Sequence, residues 1–184
     1  WAADTVDSAK MDKEGKFPDE VRKGMAELGL MGLNIPEEYG GFGASTMVFT
    51  RVFGEVGSVD AALAVYFGAH QSIGIKGIIL FGSEDQRQRW LPRCATGELI
   101  GAFCLTEPGS GSDLASLQTR AIRDGDDFIL NGQKIWTSGG HGANWIFVLA
   151  RSDPDAPKHK GISFFMVDMK TPGLTVRPLV NMAN

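Results

Sequence analysis

The sequence predicts an α+β chain of two domains: an all-α helical domain over residues 1–98, then an all-β, barrel-like domain over residues 99–184. Three observations predict it. Up to about residue 98 the apolar residues recur at helical spacing. Beyond that point they fall in short runs separated by Gly, Asn, Asp and Pro, as strands and turns do. The chain is also 43% hydrophobic over 184 residues, enough for one large core or two small ones.

The helical half is read in order. Pro18 suits a first helical turn, and Val21, Met25 and Leu28 follow at i, i+4, i+7. Gly32 to Gly43, with Pro36 and Gly40-Gly41, is a loop. Ser45 caps a helix carrying Phe49, Val52, Phe53 and Val56. Asp60 caps the next, which runs to about Leu80 with apolar residues on most sides and is therefore expected to be buried. Ser83, with Glu84 and Asp85 behind it, starts a short helix that is expected to end at Pro92.

The strand half follows. Strands are expected at Leu99 to Thr106, Leu117 to Arg123 and Phe128 to Leu130, with a turn at Asp124 to Asp127. Asn131-Gly132 signals a hairpin that returns through Gln133 to Ser138. Trp145 to Arg151, Ile162 to Asp168 and Leu174 to Val180 complete the set, and strands this frequent favour a small barrel or sandwich.

Composition narrows the function. A net charge of −4 gives no general attraction to nucleic acid or anionic membrane. Cys94 and Cys104 form no metal-ligand pattern, so no metal site is expected; two thiols read as reduced, intracellular and structural. No apolar run reaches the roughly 18 residues of a membrane span. Trp1-Ala2-Ala3-Asp4 is neither a signal peptide nor an initiator Met, and the polar stretch to Asn184 has no closing element. The chain is read as cut at both ends.

Two segments could carry chemistry. Phe103-Cys104-Leu105-Thr106-Glu107-Pro108-Gly109-Ser110-Gly111-Ser112-Asp113 gathers small residues, hydroxyls and backbone N–H groups suited to a flat polar ring or a phosphate. Lys134-Ile135-Trp136-Thr137-Ser138-Gly139-Gly140 adds an aromatic face and hydroxyls. Together they point to a bound flavin; either alone is the ordinary material of a turn or a core. Glu107 and Asp113 could pair for acid/base work, but an acid beside a Gly-rich turn more often braces the loop. His70 reads as a core histidine and His141 as solvated. Lys158-His159-Lys160 is a small cationic loop, solvated by default, that could meet a nucleotide phosphate. The Gly-rich pieces match neither P-loop nor Rossmann spacing.

Taken together, these segments resemble those of the acyl-CoA dehydrogenase family, with Phe103–Asp113 similar to its flavin signature and Lys134–Ser138 to its second flavin segment. Gly68 to Gly74 and Phe103 to Glu107 are most similar to the very-long-chain branch. The later stretch from Ser152-Asp153-Pro154-Asp155 through Val167-Asp168 looks more like generic bacterial members. The resemblance covers essentially the whole chain. It implies a helical N-terminal domain and a middle β-domain, with the family's C-terminal helical domain absent.

The resemblance implies FAD as cofactor, with Phe103, Leu105 and Thr106 on the ring, Gly111 and Ser112 along the cofactor, and Trp136, Thr137 and Ser138 on the ring's other side. Ser112 would also approach the acyl-CoA substrate. Ser138 stands where the family usually has Thr. Tyr66 and Phe67 sit where smaller residues often line the acyl pocket, so Tyr66 would shorten it. No residue of this chain matches the family's catalytic base, a glutamate of the missing domain. The implied activity is oxidation of acyl-CoA to 2-enoyl-CoA, inactive in this chain alone. Electron-transferring flavoprotein is the implied electron acceptor, and the full-length form a homo-oligomer, cytoplasmic in a bacterium or in the mitochondrial matrix of a eukaryote. An acyl-CoA oxidase and a non-catalytic truncated paralogue are the alternatives.

Overall fold

A computed structural model describes residues 1–180, and the chain divides into two compact units, Trp1–Ile100 and Gly101–Asn184. The first unit holds helices α1 (Ala2–Thr5), α2 (Ser8–Glu14), α3 (Asp19–Glu27), α4 (Thr46–Val59), α5 (Ala61–Ala69), α6 (Lys76–Phe81) and α7 (Glu84–Ala95). The expected caps form. Ser45 Oγ accepts from Val48 N–H at 3.3 Å and Asp60 Oδ1 from Leu63 N–H at 2.7 Å. Ser83 makes a reciprocal capping box with Gln86. Pro18 sits one residue earlier than expected, as the N-cap of α3.

Val21 and Met25 of α3 enter a core with Leu30, Met31, Leu63 and Phe67, and the rings of Phe49 and Phe53 pack against it. Leu28 does not join them; α3 ends at Glu27 and Leu28 is exposed. The loop after Gly32 includes a single helical turn, Glu37–Tyr39, whose buried Tyr39 donates its hydroxyl to Glu84 Oε2 at 2.9 Å.

Two helix expectations are corrected. The helix capped by Asp60 is not continuous to Leu80. A π-helical turn, His70–Gly74, separates α5 from α6, and Ile75 leaves helical geometry at φ −127°. The turn brings consecutive His70 and Gln71 both inward. Gln71 donates to the carbonyls of Leu30 (3.2 Å) and Met31 and accepts from Asn34 N–H at 2.8 Å. His70 Nε2 meets Cys94 O at 3.1 Å, and burial lowers its pKa to about 4, so it is a neutral core histidine. The stretch is also only half covered, since Val65, Ile73, Leu80 and Phe81 stay exposed. Ala61–Phe81, counted through the π turn, is long and apolar enough for a membrane span, contrary to the expectation from apolar runs. Half of it is buried within its own unit around two satisfied polar side chains, the pattern of a core helix. The second correction is α7, which runs through Pro92 to Ala95; burial of Trp90, Leu91, Cys94 and Ala95 offsets the hydrogen bond Pro92 removes.

The second unit is one five-stranded sheet of β1 (Gly101–Cys104), β2 (Arg120–Asp124), β3 (Asp127–Asn131), β4 (Trp145–Arg151) and β5 (Ile162–Asp168). The central strand β4 pairs with β5 antiparallel along its length and with β1 in parallel, Gly101↔Trp145 to Cys104↔Val148. β2 meets β4 at Arg120↔Arg151 and pairs with β3 as a hairpin. The sheet is open, not barrel-like as expected, because two of the expected strands do not form. Gln133 to Ser138 and Leu174 to Val180 pair with nothing as strands. Asn131-Gly132 is not the hairpin turn. That turn is at Asp124–Asp127, where Gly125 takes φ 63°. Gly132 is there for close approach: an added Cβ would overlap Thr119.

Candidate functional site

The two segments singled out in the sequence lie against each other in the sheet unit, 30 residues apart in the chain but joined at several points. Ile135 N–H donates to Thr106 O at 2.9 Å. Lys134 Nζ donates to Leu105 O at 3.0 Å and to Glu107 Oε1 at 2.8 Å. The sulfur of Cys104 and the hydroxyl of Thr137 share a hydrogen bond at 3.3 Å. These bonds take the place of the strand pairing expected for Gln133 to Ser138.

Glu107 is the anchor of this junction. Its carboxylate accepts from Gln118 N–H (2.6 Å), Thr119 N–H (3.0 Å) and Lys134, and its own backbone pairs with Ser110. Burial works to raise its pKa, but the Lys134 ammonium and the two backbone donors outweigh it and hold the carboxyl down at about 2. The Lys134 and Glu107 side chains are only 9% and 6% exposed. Glu107 therefore braces the loop, and a carboxylate so held is a poor proton acceptor.

Beyond Glu107 the loop is open on one side. Gly109 and Gly111 have φ outside the left-handed region, and an added Cβ at either would touch nothing. The chain's own packing gives no reason for glycine there, whereas close approach of an outside group does. Asp113 is held below the usual carboxylate range, chiefly by a hydrogen bond from Lys158, whose Nζ lies 2.9 and 2.7 Å from its two oxygens. Lys158 of the cationic loop is thus committed to a carboxylate. Arg151 reaches Ala115 O at 2.6 Å from the same side.

Trp136 is the outlier of the backbone. It is the one non-glycine with positive φ among the described residues, at 62°, and its side chain is 63% exposed. A bulky L-residue in the left-handed region costs about 1–2 kcal/mol. Backbone strain that holds an apolar ring in solvent fits a ring surface awaiting a flat partner. Thr106, Ser112 and Ser138 each carry a hydroxyl with no hydrogen-bond partner among the described residues, in contrast to Thr137. The donor set, the open glycines and the presented indole fit a flavin nucleotide.

The remaining predicted residues fall as follows. Phe103 packs its ring on Phe147 and Phe164, at 6.5 and 5.6 Å between centroids, so it has only backbone to offer along the strand end. Leu105 is half-buried and gives its carbonyl to Lys134. Tyr66 lies in the helical unit, half-buried, with its ring 4.8 Å from that of Phe17. Phe67 is fully buried in the helical core. Sequence reasoning quoted Lys134 without giving it a task. The sequence offers a lone cation, Lys134, in one segment and two acids, Glu107 and Asp113, in the other, and does not say which of the acids it meets.

An α-helical unit followed by an open sheet, with two joined loop segments that offer hydroxyls, open glycines and an exposed indole, limits the class of protein this chain belongs to. Comparison with known proteins makes it specific. Residues 1–98 match the acyl-CoA dehydrogenase N-terminal domain and residues 102–184 its middle domain, so the chain belongs to the acyl-CoA dehydrogenase family. It is 42% identical over 166 residues to the acyl-CoA dehydrogenase of Bacillus subtilis (90% of this chain, 44% of that one). It is 44% identical over 176 residues to the mitochondrial very long-chain specific acyl-CoA dehydrogenase of Mus musculus (92% and 27%). Among solved structures it is similar to an acyl-CoA dehydrogenase from Geobacillus kaustophilus, with TM-score 0.84, 41% identity and coverage of 90% and 43%. It is also similar to a glutaryl-CoA dehydrogenase from Mycobacterium smegmatis in complex with FADH2, with TM-score 0.86, 34% identity and coverage of 97% and 45%. The chain spans less than half the length of these relatives.

Proposed function

We propose that this chain supplies the flavin bed and one wall of the acyl-CoA pocket of a flavin-dependent acyl-CoA dehydrogenase. The observation that carries the proposal is the joining of Leu105–Glu107 to Lys134–Ile135, two segments that also hold the strained, exposed Trp136, hydroxyls without partners among the described residues and glycines with open space around them. FAD, when bound, supplies the hydride acceptor that turns an acyl-CoA into a 2-enoyl-CoA.

The chain's own residues divide the remaining work. The backbone from Phe103 to Thr106 and the Thr106 hydroxyl face the polar edge of the ring. Trp136 covers a ring face, and Thr137 and Ser138 follow it along the edge. Gly111 and Ser112 run along the cofactor, with Ser112 turned also to the acyl-CoA. Tyr66, within the helical unit, is assigned the limit on acyl-chain length. Neither Glu107 nor Asp113 suits removal of the substrate proton, since Lys134 with two backbone N–H groups lowers the proton affinity of the first and Lys158 lowers that of the second. The base is accordingly assigned to no residue of this chain, and the chain alone is expected not to turn over acyl-CoA. Electron-transferring flavoprotein as electron acceptor and a homo-oligomeric whole enzyme complete the proposal.

Titration of the 184-residue chain with FAD tests it, following flavin fluorescence and then adding an acyl-CoA. Saturable FAD binding without acyl-CoA turnover is expected. Absence of binding, or turnover by this chain alone, contradicts the assignment.

A further inference from the structure

We propose that Lys134 is a positioning residue that polarises the Leu105–Thr106 peptide and so strengthens the Thr106 N–H as a donor to the flavin's polar edge. The inference rests on the flavin assignment above and adds to it a group that sets how firmly electrons are held.

Leu105 O and Thr106 N–H belong to one peptide unit. Lys134 Nζ lies 3.0 Å from that oxygen, on a side chain only 9% exposed. Water screens such a cation little, so it draws density toward the oxygen and leaves the N–H at the other end of the same amide a better donor. Among the described residues nothing accepts from Thr106 N–H, although Thr106 O accepts from Ile135. Thr106 is only half-buried, so the strengthened donor is open to an outside acceptor. Glu107 Oε1, 2.8 Å from the same Nζ, opposes the effect, and the donors Gln118 N–H and Thr119 N–H draw part of its charge away. Negative charge gathers on the polar edge of a flavin as it takes up two electrons. A stronger donor there favours the reduced form over the oxidised one.

Two variants separate this from a purely structural role. Glu107→Gln leaves the ammonium unopposed on Leu105 O. Glu107→Gln combined with Lys134→Met removes both charges together, which avoids stranding a buried ion and keeps the fold testable. The midpoint potential of FAD bound to the 184-residue chain is measured for wild type and both variants. The single variant is expected to raise the potential. The double variant is expected to lower it, by a shift of about tenfold in the relative affinity for reduced and oxidised flavin, about 30 mV for a two-electron couple. Opposite signs support the inference; equal signs, or two unchanged potentials, overturn it. The Thr106 amide proton shift in the flavin-free chain gives a second readout, expected downfield in the single variant and upfield in the double, and no movement overturns the inference. Failure of the wild type to bind FAD at all overturns the flavin assignment itself, and this inference with it.

Discussion

Gln71 and Trp136 show how differently the two halves of this chain treat their awkward residues. Gln71 is a polar side chain with no exposure, and the helical unit satisfies it completely, with two carbonyls and one N–H. Trp136 is a large apolar side chain mostly in solvent, on a backbone its own residue type disfavours. The helical unit satisfies its buried Gln71 and His70 from its own backbone, while leaving Phe42 and Phe81 exposed. The sheet unit keeps hydroxyls without partners among the described residues, an open glycine loop and a strained aromatic, which the proposal turns toward a ligand. Changes in the first should therefore cost stability, and changes in the second should alter binding.

The largest expected effect bridges the two behaviours. Lys134→Met strands a buried carboxylate, and unfolding in urea should show a loss of about 3–5 kcal/mol, because removing one partner of a buried pair leaves the other uncompensated. Gln71→Leu should cost the helical unit about 3 kcal/mol, at about 1 kcal/mol for each of the two carbonyls and one N–H left unpaired, while FAD affinity of the folded chain stays unchanged. Equilibrium unfolding and flavin titration on the same sample check both halves of that statement. Trp136→Gly should do the reverse. Relief of the left-handed backbone should raise stability by about 1 kcal/mol, and loss of the ring should weaken FAD binding by roughly 1–3 kcal/mol.

Acid should separate the two units next. His70 is lowered from the usual 6.5 to about 4 by burial, so below pH 6.5 the unfolded chain takes up a proton the folded one refuses. Stability contributed by the neutral form is present above 6.5 and lost as pH falls toward 4. Glu107, lowered from 4.5 to about 2, contributes stability above 4.5 that is lost as pH falls from there toward 2. Melting followed from pH 8 to 3 should thus show a decline that begins in the helical unit, and His70→Gln should flatten the 6.5 to 4 segment. The smallest effect belongs to Lys158→Ala. The Lys158–Asp113 pair is exposed, so FAD affinity should fall only about threefold, and less in high salt.

What the sequence revealed depended on range. The caps at Ser45, Asp60 and Ser83 were legible because each bond is made within three residues of the cap. The two loop segments stood out as compositions of small residues and hydroxyls, and the structure joins them through Lys134 and Ile135. Asn131-Gly132 misled because its glycine answers to Thr119, a neighbour across the fold that no local signal reveals. Pro92 misled because tertiary burial outweighed a local breaker. The Lys134–Glu107 pair and the left-handed backbone of Trp136 were not legible, since both arise only once distant segments meet. The barrel was expected from strand frequency, and frequency does not determine pairing.

The central claim is that Phe103–Asp113 and Lys134–Ser138 form one flavin bed. Isothermal titration of FAD into the wild-type chain and its Trp136→Ala variant tests it most directly. One saturable site per wild-type chain is predicted, weakened in the variant by roughly 1–3 kcal/mol with the fold intact. A wild-type chain that binds no FAD, or a variant that binds it equally well, would contradict the claim.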